Sequence, residues 1–340
     1  MQYDVVILGR GLAGAVLAEA CQRRGLSVHV FGEEQTGNAT MAAGGAVNPV
    51  VLRRAIPCWR AAELMPLVRT FFGAWENRLG IRCWQEAPLV KVFASKGEAE
   101  QWERAKEHPS GAPFMASRPE PEIDAAPIRA PHGYGTVTQA GWLNIPLLLD
   151  AQRGELLGNG ALTERLVQEE EVRTEGKGVR IGEVQGRWLV RCTGPFATGE
   201  GLSLVKGETL TVRIPELRIT SMLHGGAGLL PLGQGLFRAG STFQWTEVWE
   251  GPTQQAREWM MAKLMDLLTV PVEWVEARAG VRPAALDRKP ILGRTGPHQA
   301  VINGLGARGV MQAPWCAERL LDHLFEGQPL DPEVDCSRFG

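Results

Sequence analysis

The first 31 residues combine a glycine turn with the alternation of strand and helix that such a turn requires. Residues 3–8 are a short apolar run rich in β-branched side chains, and the sequence GRGLAG follows at once over residues 9–14. Small and apolar residues then recur at helical spacing over residues 15–24, Gly25 ends the helix, and a second apolar run covers residues 26–31. This order predicts a βαβ unit that binds the phosphates of a dinucleotide at the helix N-terminus.

Each glycine of the turn has its own task in such a site. Gly9 permits the tight turn, Gly11 lets the backbone approach a pyrophosphate, and Gly14 lets the helix pack close to the strand. The intervening Leu12 and Ala13 belong to the same predicted site. In a chain with 41 glycines the motif alone also fits an ordinary turn, so the flanking strands and helix are what favour nucleotide binding.

An acidic residue that binds the ribose is expected at the end of the second strand, about 20 residues after the turn. Gly32 occupies that position, and the acids follow it as Glu33 and Glu34. Glu33 is therefore predicted to bind the ribose hydroxyls. A glutamate that is simply exposed on the surface is the alternative interpretation.

Composition limits the class of protein. Of the 340 residues, 44% are hydrophobic and 22% are charged, which excludes a fibrous or disordered chain. The net charge of -2 argues against general attraction to nucleic acid or to an anionic membrane. Because the six cysteines form no CxxC pair and no histidine cluster has zinc spacing, we expect buried free thiols and no metal site.

The length suits two interleaved domains or one large one. The first apolar run has no basic segment before it, and no stretch approaches about 18 uninterrupted apolar residues. We therefore expect neither a signal peptide nor a membrane span, and a cytoplasmic protein.

Periodicity places the remaining elements along the chain. A proline-rich, charged surface connection is predicted over residues 108–131. Helices are predicted over residues 61–79, 98–107, 253–268 and 312–325, and strands over 87–94, 208–214 and 236–243.

Residues 39–49, with the sequence ATMAAGGAVNP, form a loop of small residues after the second strand. This loop resembles the one in FAD enzymes of the D-amino-acid oxidase family, where Ser or Thr and glycines run along the pyrophosphate and the isoalloxazine. Small residues suit this task because the backbone must come within hydrogen-bonding distance of the ring edge. The resemblance implies FAD contacts from Thr40, Ala43, Gly44, Gly45 and Asn48.

Three later segments are similar to the same family, in the family's order. Residues 189–194 look like its strand ending in a Thr-Gly turn, residues 279–293 resemble its Gly-x-Arg-Pro…Asp-x-x-Pro-x-x-Gly stretch, and residues 303–314 resemble its C-terminal turn and helix. The resemblance implies further contacts to FAD from Val172, Thr193, Gly194, Gly280, Arg282, Gly304, Gly306, Ala307, Arg308, Gly309 and Val310.

The resemblance runs from residue 3 to residue 325 and implies an α/β fold. An FAD-binding Rossmann-type domain would carry an inserted substrate domain built on an antiparallel sheet (α+β). The expected FAD-binding domain comprises residues 1–80, 135–205 and 275–340, and the expected substrate domain comprises residues 81–134 and 206–274.

The C-terminal turn also has an electrostatic interpretation. Glycines 304, 306 and 309 precede a helix, so backbone N–H groups and the helix N-terminus converge where a reduced flavin would carry negative charge. Arg308 adds a full positive charge, and we predict that it takes part in catalysis by stabilising the reduced flavin. The alternative is a turn and a helix that serve packing alone.

Arg282 falls where the family has an arginine that binds the substrate carboxylate over the flavin. A guanidinium binds a carboxylate through two parallel hydrogen bonds and thereby orients the carbon that loses hydride. We therefore predict a catalytic and substrate-binding role for Arg282. The alternative is a structural ion pair with Asp287.

Other substrate positions depart from glycine oxidase within this family. Gly228 stands where that enzyme has a carboxylate-binding tyrosine, and Ala307 stands at its second arginine. Phe243 and Trp245 are candidates for an apolar pocket wall, or equally for core aromatics. His224 is a candidate substrate-binding residue or base, although a surface or hydrogen-bonded core histidine is the plainer interpretation.

The resemblance implies an FAD-dependent oxidase or dehydrogenase that acts on the C–N bond of a small amino acid or secondary amine. Oxygen or an unknown acceptor would reoxidise the flavin. One alternative is the oxidase half of the bifunctional enzyme that modifies wobble uridines in tRNA, against which the charge balance argues. Another is an FAD-dependent 2-hydroxy acid dehydrogenase or a largely structural flavoprotein. Because Gly280 stands where sarcosine oxidases have a cysteine, the FAD is expected to be non-covalent.

Overall fold

Two large β-sheets, each covered by helices, organise the chain in a computed structural model that describes residues 1–117, 120–197, 199 and 201–340. The helices are α1 Leu12–Arg23, α2 Ala39–Ala42, α3 Ala61–Leu79, α4 Lys96–Glu107, α5 Pro121–Asp124, α6 Ile145–Gly158, α7 Gln254–Leu267 and α8 Gly309–Phe325. Short 3-10 helices cover Glu169–Glu171, Gly194–Phe196, Gly306–Arg308 and Cys336–Phe339. The strands are β1 Gln2–Leu8, β2 Val28–Phe31, β3 Ala46–Val47, β4 Val50–Val51, β5 Ile56–Pro57, β6 Trp84–Glu86, β7 Leu89–Val92, β8 Met115–Ala116, β9 Tyr134–Val137, β10 Gly141–Leu143, β11 Leu162–Thr163, β12 Arg173–Glu175, β13 Gly178–Ile181, β14 Val184–Arg191, β15 Leu202–Arg213, β16 Met222–Gly225, β17 Ala227–Gly233, β18 Leu236–Gly240, β19 Glu273–Ala285, β20 Ile291–Gly296 and β21 Gln299–Asn303.

The first sheet joins strands from both ends of the chain. Parallel strands run in the order β11, β2, β1 and β14, and the far edge of β14 pairs with β13 along its first half and with β21 along its second. Both faces of β1 are buried: Val5 and Ile7 face the main core with α1 and α8, whereas Val6 and Leu8 face a smaller cluster. This two-sided burial explains why β1 is a continuous apolar run.

The second sheet has the order β19, β15, β18, β17, β16, β7, β9, β8 and is antiparallel except between β16 and β7. Strand β15, next to the edge strand β19, alternates between two environments. Leu210 and Val212 pack in a core cluster with Met260 and Leu264 of α7. Thr209, on the opposite face, donates a hydrogen bond from Oγ1 to the backbone oxygen of Ala42 at 3.0 Å. The face of the second sheet that carries Thr209 is therefore turned toward the glycine-rich loop of residues 39–49, which follows β2.

The predicted fold class, an α/β Rossmann-type unit combined with an antiparallel sheet, is confirmed. The domain boundaries remain a proposal. β15 and β19, which pair along their length, both belong to the second sheet and cross the boundaries proposed at residues 205 and 275.

Most predicted elements lie within a few residues of the observed ones, and two differences matter for the site. α8 begins at Gly309 rather than at residue 312 and continues through Pro314, so its first turn lies directly after the glycine turn. β18 ends at Gly240 rather than at residue 243, which leaves the following aromatic residues in a loop. The cysteines are free thiols as predicted and are buried, except that Cys336 is only partly buried.

No helix within the described residues is long and apolar enough to cross a membrane.

Glu333 connects the C-terminal segment to the start of α3. Its carboxylate accepts hydrogen bonds from Trp59 Nε1 at 3.1 Å and Arg60 Nη2 at 2.9 Å, and it lies 2.8 Å from Lys289 Nζ. The Lys289 ammonium is the main cause that lowers the pKa of Glu333 to about 2.

We expect Glu333→Gln to lower the free energy of unfolding at neutral pH, and the loss to shrink as the pH falls. An unfolded glutamate titrates near about 4.3. The carboxylate therefore contributes its full stability above that pH and loses the contribution as the pH falls toward about 2. Urea unfolding of both proteins at several values between about pH 7 and pH 3 measures the gap, and a gap that stays constant would contradict the prediction.

Candidate active site

A cavity of about 570 Å³ lies where the two sheets face each other. Its wall includes the glycine turn after β1 on one side and residues of β15, β18 and β19 on the other. Its size is within the range of small-molecule sites in proteins. The cavity therefore brings together the two halves of the site that the sequence predicted separately.

The glycine turn packs too closely for side chains. Gly9 has φ +110°, and a Cβ on it would lie 2.3 Å from the backbone oxygen of Cys192 in the adjacent turn. A Cβ on Gly14 would lie 1.9 Å from the backbone oxygen of Gly9. Gly11 caps α1 in an extended conformation, and the N–H of Leu12 donates to Thr40 Oγ1 at 3.3 Å. The N-terminus of α1 thus opens directly on the cavity.

The end of β2 explains the unusual position of its acid. A Cβ on Gly32 would lie 2.8 Å from the backbone nitrogen of Arg10, so no acidic residue fits there. Glu33, the next residue, is exposed and lines the cavity. Arg10 lines it as well, and its buried Nε has no hydrogen-bond partner in the described parts of the chain.

The structure gathers most predicted cofactor residues in this one wall. The lining includes Gly9, Gly11, Leu12, Ala13, Glu33, Thr40, Ala43, Gly44, Gly45, Asn48, Thr193, Gly194, Gly280, Arg282, Gly306, Ala307, Gly309 and Val310.

Four predicted cofactor residues lie behind the wall. Gly14 packs on the turn itself, and Gly304 packs against Ile291, where a Cβ would come within 2.8 Å of Cγ1. Val172 packs beside the small cluster under the first sheet, and Val167 and Gln168 of the same segment line the cavity instead. Arg308 Nε lies 3.2 Å from Cys58 Sγ, so the guanidinium contacts the α3 side of the molecule rather than the cavity. The predicted catalytic role of Arg308 therefore gains no support from its position.

Asn303 joins the two turns that come from distant parts of the chain. Its Nδ2 donates to the backbone oxygen of Gly194 at 3.0 Å, and its Oδ1 accepts from the N–H of Gly304 at 2.9 Å. The side chain is buried, so both hydrogen bonds are shielded from water. Sequence reasoning assigned it no role, although it opens the Asn-Gly turn of the C-terminal motif.

Arg282 lies on β19 with its guanidinium in the cavity wall. A Cβ on Gly207 of β15 would lie 1.9 Å from Arg282 Nη2, so the glycine provides the space that the guanidinium occupies. Arg282 Nη1 donates to the backbone oxygen of Thr242 at 3.1 Å, and no carboxylate within the described residues pairs with it. Burial lowers the pKa of Arg282 to about 10, and at neutral pH the group keeps its charge. A buried cation of this kind is stabilised by an anionic ligand.

The alternative role for Arg282 is wrong. Asp287 pairs with Arg338, whose Nε and Nη2 donate to its carboxylate at 2.9 and 3.1 Å. The reason is the turn after β19, which carries Asp287 out to the surface beside the C-terminal segment.

The two aromatic residues after β18 lie outside both of their predicted environments. Phe243 is 55% exposed and Trp245 is 63% exposed, so neither is a core residue. Neither lines the cavity, although the Phe243 ring stacks 4.6 Å from Arg282 Cζ on the solvent side. The early end of β18 is the cause, because it leaves both side chains in an exposed loop.

His224 of β16 lines the cavity at its other end. Burial, reinforced by the nearby Lys91 ammonium, lowers the pKa of His224 to about 4. The imidazole is therefore neutral at physiological pH, which makes it a hydrogen-bonding group rather than a cation.

Several wall residues had no part in the sequence-based site. Gly207 stands just before the strand predicted over residues 208–214, and only the observed β15 shows it as a strand glycine that leaves room for another group. Further lining residues that sequence reasoning missed include Arg10, Arg165, Val167, Gln168, Thr209 and Gly240.

The residues present fit FAD. The helix N-terminus at Gly11 supplies N–H groups for the pyrophosphate, and Arg10 adds a guanidinium to the same wall. Ala43, Gly44 and Gly45 have no long side chains to cover their backbone along the cavity. Within the described residues no cluster of three or more His, Cys, Asp or Glu side chains is placed to hold a metal ion.

We expect the flavin to be released when the protein is denatured. A Cβ on Gly280 would lie 2.8 Å from Ala39 Cα, so a cysteine does not fit at the position where the resemblance to sarcosine oxidases would place one. Acid precipitation followed by absorbance at the flavin maximum should find all FAD in the supernatant. Flavin fluorescence that stays with the denatured chain in a gel would contradict this.

Comparison with known proteins supports the interpretation of the cavity as an FAD site. The sequence profile described as FAD dependent oxidoreductase, DAO, matches residues 4–323. The chain is 21% identical to the tRNA 5-methylaminomethyl-2-thiouridine biosynthesis bifunctional protein MnmC of Marinobacter nauticus, over 94% of this chain and 55% of that protein. It is 25% identical to the bifunctional protein ThiO/ThiG of Trichormus variabilis, over 100% of this chain and 55% of that protein. The chain thus spans about half the length of these curated relatives.

The fold is shared with solved structures. Glycine oxidase from Geobacillus kaustophilus superimposes with a TM-score of 0.77 at 21% identity, covering 100% of this chain and 98% of the other.

Proposed function

Because the chain belongs to the DAO family of FAD-dependent oxidoreductases, we propose that it oxidises the C–N bond of a small amino acid or secondary amine. When bound, FAD supplies the acceptor for one hydride, that is, one proton and two electrons. The substrate carbon loses that hydride, its nitrogen loses a proton, and a C=N bond forms that water can hydrolyse.

The observation that carries the proposal is Arg282. Its guanidinium is buried in the cavity wall, carries its charge at neutral pH and has no carboxylate partner among the described residues. A substrate carboxylate would pair with this guanidinium through two hydrogen bonds and hold the neighbouring carbon in one orientation. Oxygen or another acceptor would then reoxidise the cofactor.

A second candidate is the oxidation of an aminomethyl group on a modified tRNA base. Its support is the pair of curated relatives named for 5-methylaminomethyl-2-thiouridine biosynthesis, at 21% and 26% identity over nearly the whole of this chain. The chain covers 55% and 58% of those proteins, whose remaining parts have no counterpart in the match.

Anaerobic mixing of the FAD-loaded protein with single compounds tests both candidates. We expect amino acids or N-substituted glycines to bleach the flavin absorbance near neutral pH, and 2-hydroxy acids to leave it unchanged. Bleaching by undermodified tRNA alone would favour the second candidate. Bleaching by a hydroxy acid and by no amine would overturn the proposal.

A further inference from the structure

His224 ends a row of four residues that lie opposite one another across the second sheet. Thr209 of β15 pairs with Gly240 of β18, Gly240 pairs with Gly228 of β17, and Gly228 pairs with His224 of β16. Paired residues of neighbouring antiparallel strands face the same side of a sheet, and all four residues line the cavity. The row therefore forms a floor across one face of the cavity.

The middle of this floor has no side chains. Gly240 and Gly228 occupy it, between Thr209 at one end and His224 at the other. The Arg282 guanidinium lies over Gly207, next to the Thr209 end. Three strand spacings separate the backbones of the two ends, or roughly 14 Å. A substrate as small as glycine would reach one end of this floor and leave the other unfilled.

The imidazole of His224 lacks a hydrogen-bond partner from any other residue that the structure describes. Its Cδ2 edge borders the position that a Gly228 Cβ would take, at 4.0 Å, so the ring adjoins the open floor. Nδ1 lies on the opposite edge of the ring, is buried and finds no hydrogen-bond partner outside its own residue in the described parts of the chain, whereas Nε2 is bonded to Cδ2 and so lies at the edge nearest the floor. A ligand or water over the floor can therefore hydrogen-bond to Nε2, the nitrogen at the open edge of the ring.

The charges near His224 cancel one another. Lys91, which pairs with His224 across β7 and β16, lies 2.9 Å from the carboxylate of Glu98. A charged ligand group brought to this end would lose water without gaining a free counter-ion, which is unfavourable. A neutral amide, imide or hydroxyl suits a neutral imidazole, which offers one donor and one acceptor.

We propose that the substrate extends along the glycine floor, with its carboxylate on Arg282 and an uncharged polar group hydrogen-bonded to His224. The proposal rests on the amine-oxidising function proposed above and narrows it to amino acids whose nitrogen or side chain carries a polar extension. His224 then determines specificity, and Gly228 and Gly240 provide the space that the extension occupies.

Three N-substituted glycines test the proposal by flavin reduction in the FAD-loaded protein. N-(carbamoylethyl)glycine has a terminal amide, N-isopentylglycine has nearly the same shape without polar atoms, and N-methylglycine has no extension. We expect the amide to exceed both others in kcat/KM by about tenfold or more, the effect of one well-placed buried hydrogen bond. Equal values for all three compounds would overturn the proposal.

The variant His224→Phe keeps a ring of similar shape and removes both nitrogens. We expect it to raise KM for the amide about tenfold and to bring kcat/KM for the amide to within about twofold of that for the isopentyl compound. His224→Gln, which keeps a donor and an acceptor, should recover part of the preference. A His224→Phe protein that folds and still prefers the amide would overturn the proposal.

A binding measurement separates this inference from the proposed function. (Carbamoylethoxy)acetate carries an ether oxygen in place of the amine and cannot be oxidised in the same way. Titration calorimetry should show tighter binding of this compound than of isopentyloxyacetate, with the difference lost in His224→Phe. That result without bleaching by any amine would refute the proposed function and support the inference, whereas bleaching by amines without any discrimination at His224 would refute the inference alone.

Discussion

Gly14→Ala is expected to produce a protein that unfolds far more readily and retains little FAD. The added methyl group would lie 1.9 Å from the backbone oxygen of Gly9, and neither partner is the movable end of a flexible side chain. Relief requires α1 to shift away from the turn, which costs about 3 kcal/mol or more. The same shift would withdraw the helix N-terminus from the cavity. Urea unfolding and the ratio of flavin to protein absorbance after purification measure the two effects.

Gly154→Ala is a matched control, because Gly154 also lies within a helix. A Cβ there meets nothing within 4 Å, so this variant should keep its FAD and gain up to about 1 kcal/mol from helix propensity. A Gly14→Ala protein as stable and as yellow as Gly154→Ala would show that α1 does not depend on this close approach.

Arg282→Gln is expected to lower kcat/KM for a carboxylate-bearing amine by about two to three orders of magnitude, while FAD content stays unchanged. The substitution removes a charged bidentate partner from a buried wall, an effect of roughly 3 to 4 kcal/mol. Arg282→Lys should recover only part of the activity, because an ammonium cannot form the two parallel hydrogen bonds. Anaerobic stopped-flow reduction of the flavin measures both variants.

Arg278→Gln is the control for this experiment, since Arg278 lies on the same face of β19 and is paired with Glu276 at 3.0 Å. Because a pair this exposed contributes little, we expect a change of less than about threefold. Wild-type kcat/KM in Arg282→Gln would remove the main support for the proposed function, and an equal loss in both variants would indicate a general defect of the strand.

The nucleotide side of the site could be predicted from the sequence because local chemistry determines it. Gly9, Gly11 and Gly14 follow a buried strand and precede a helix, and the geometry of that turn depends on a few consecutive residues. The sequence also showed that the acidic residue expected at position 32 comes one residue later, as Glu33. Its cause, the close approach of Arg10, became apparent only from the packing.

The substrate side was harder to predict because it depends on which strands lie next to one another. Arg282 owes its place to Gly207, seventy-five residues earlier in the chain, through the register of β15 and β19. Arg308 was assigned to the cavity by its neighbourhood in sequence, yet its side chain contacts Cys58. Phe243 and Trp245 were misplaced because β18 ends three residues before the predicted end. None of these outcomes has a local signal.

The hydrogen bonds of Asn303 have a consequence for the order of events during synthesis. They join the Gly194 turn to the Gly304 turn, and β21, in which Asn303 lies, completes the first sheet beside β14. A ribosome-bound chain that lacks this strand has the glycine turn but only part of the cavity wall. We therefore expect full coenzyme binding only after translation has passed about nine tenths of the chain, and until then the second half of β14 has an unpaired edge.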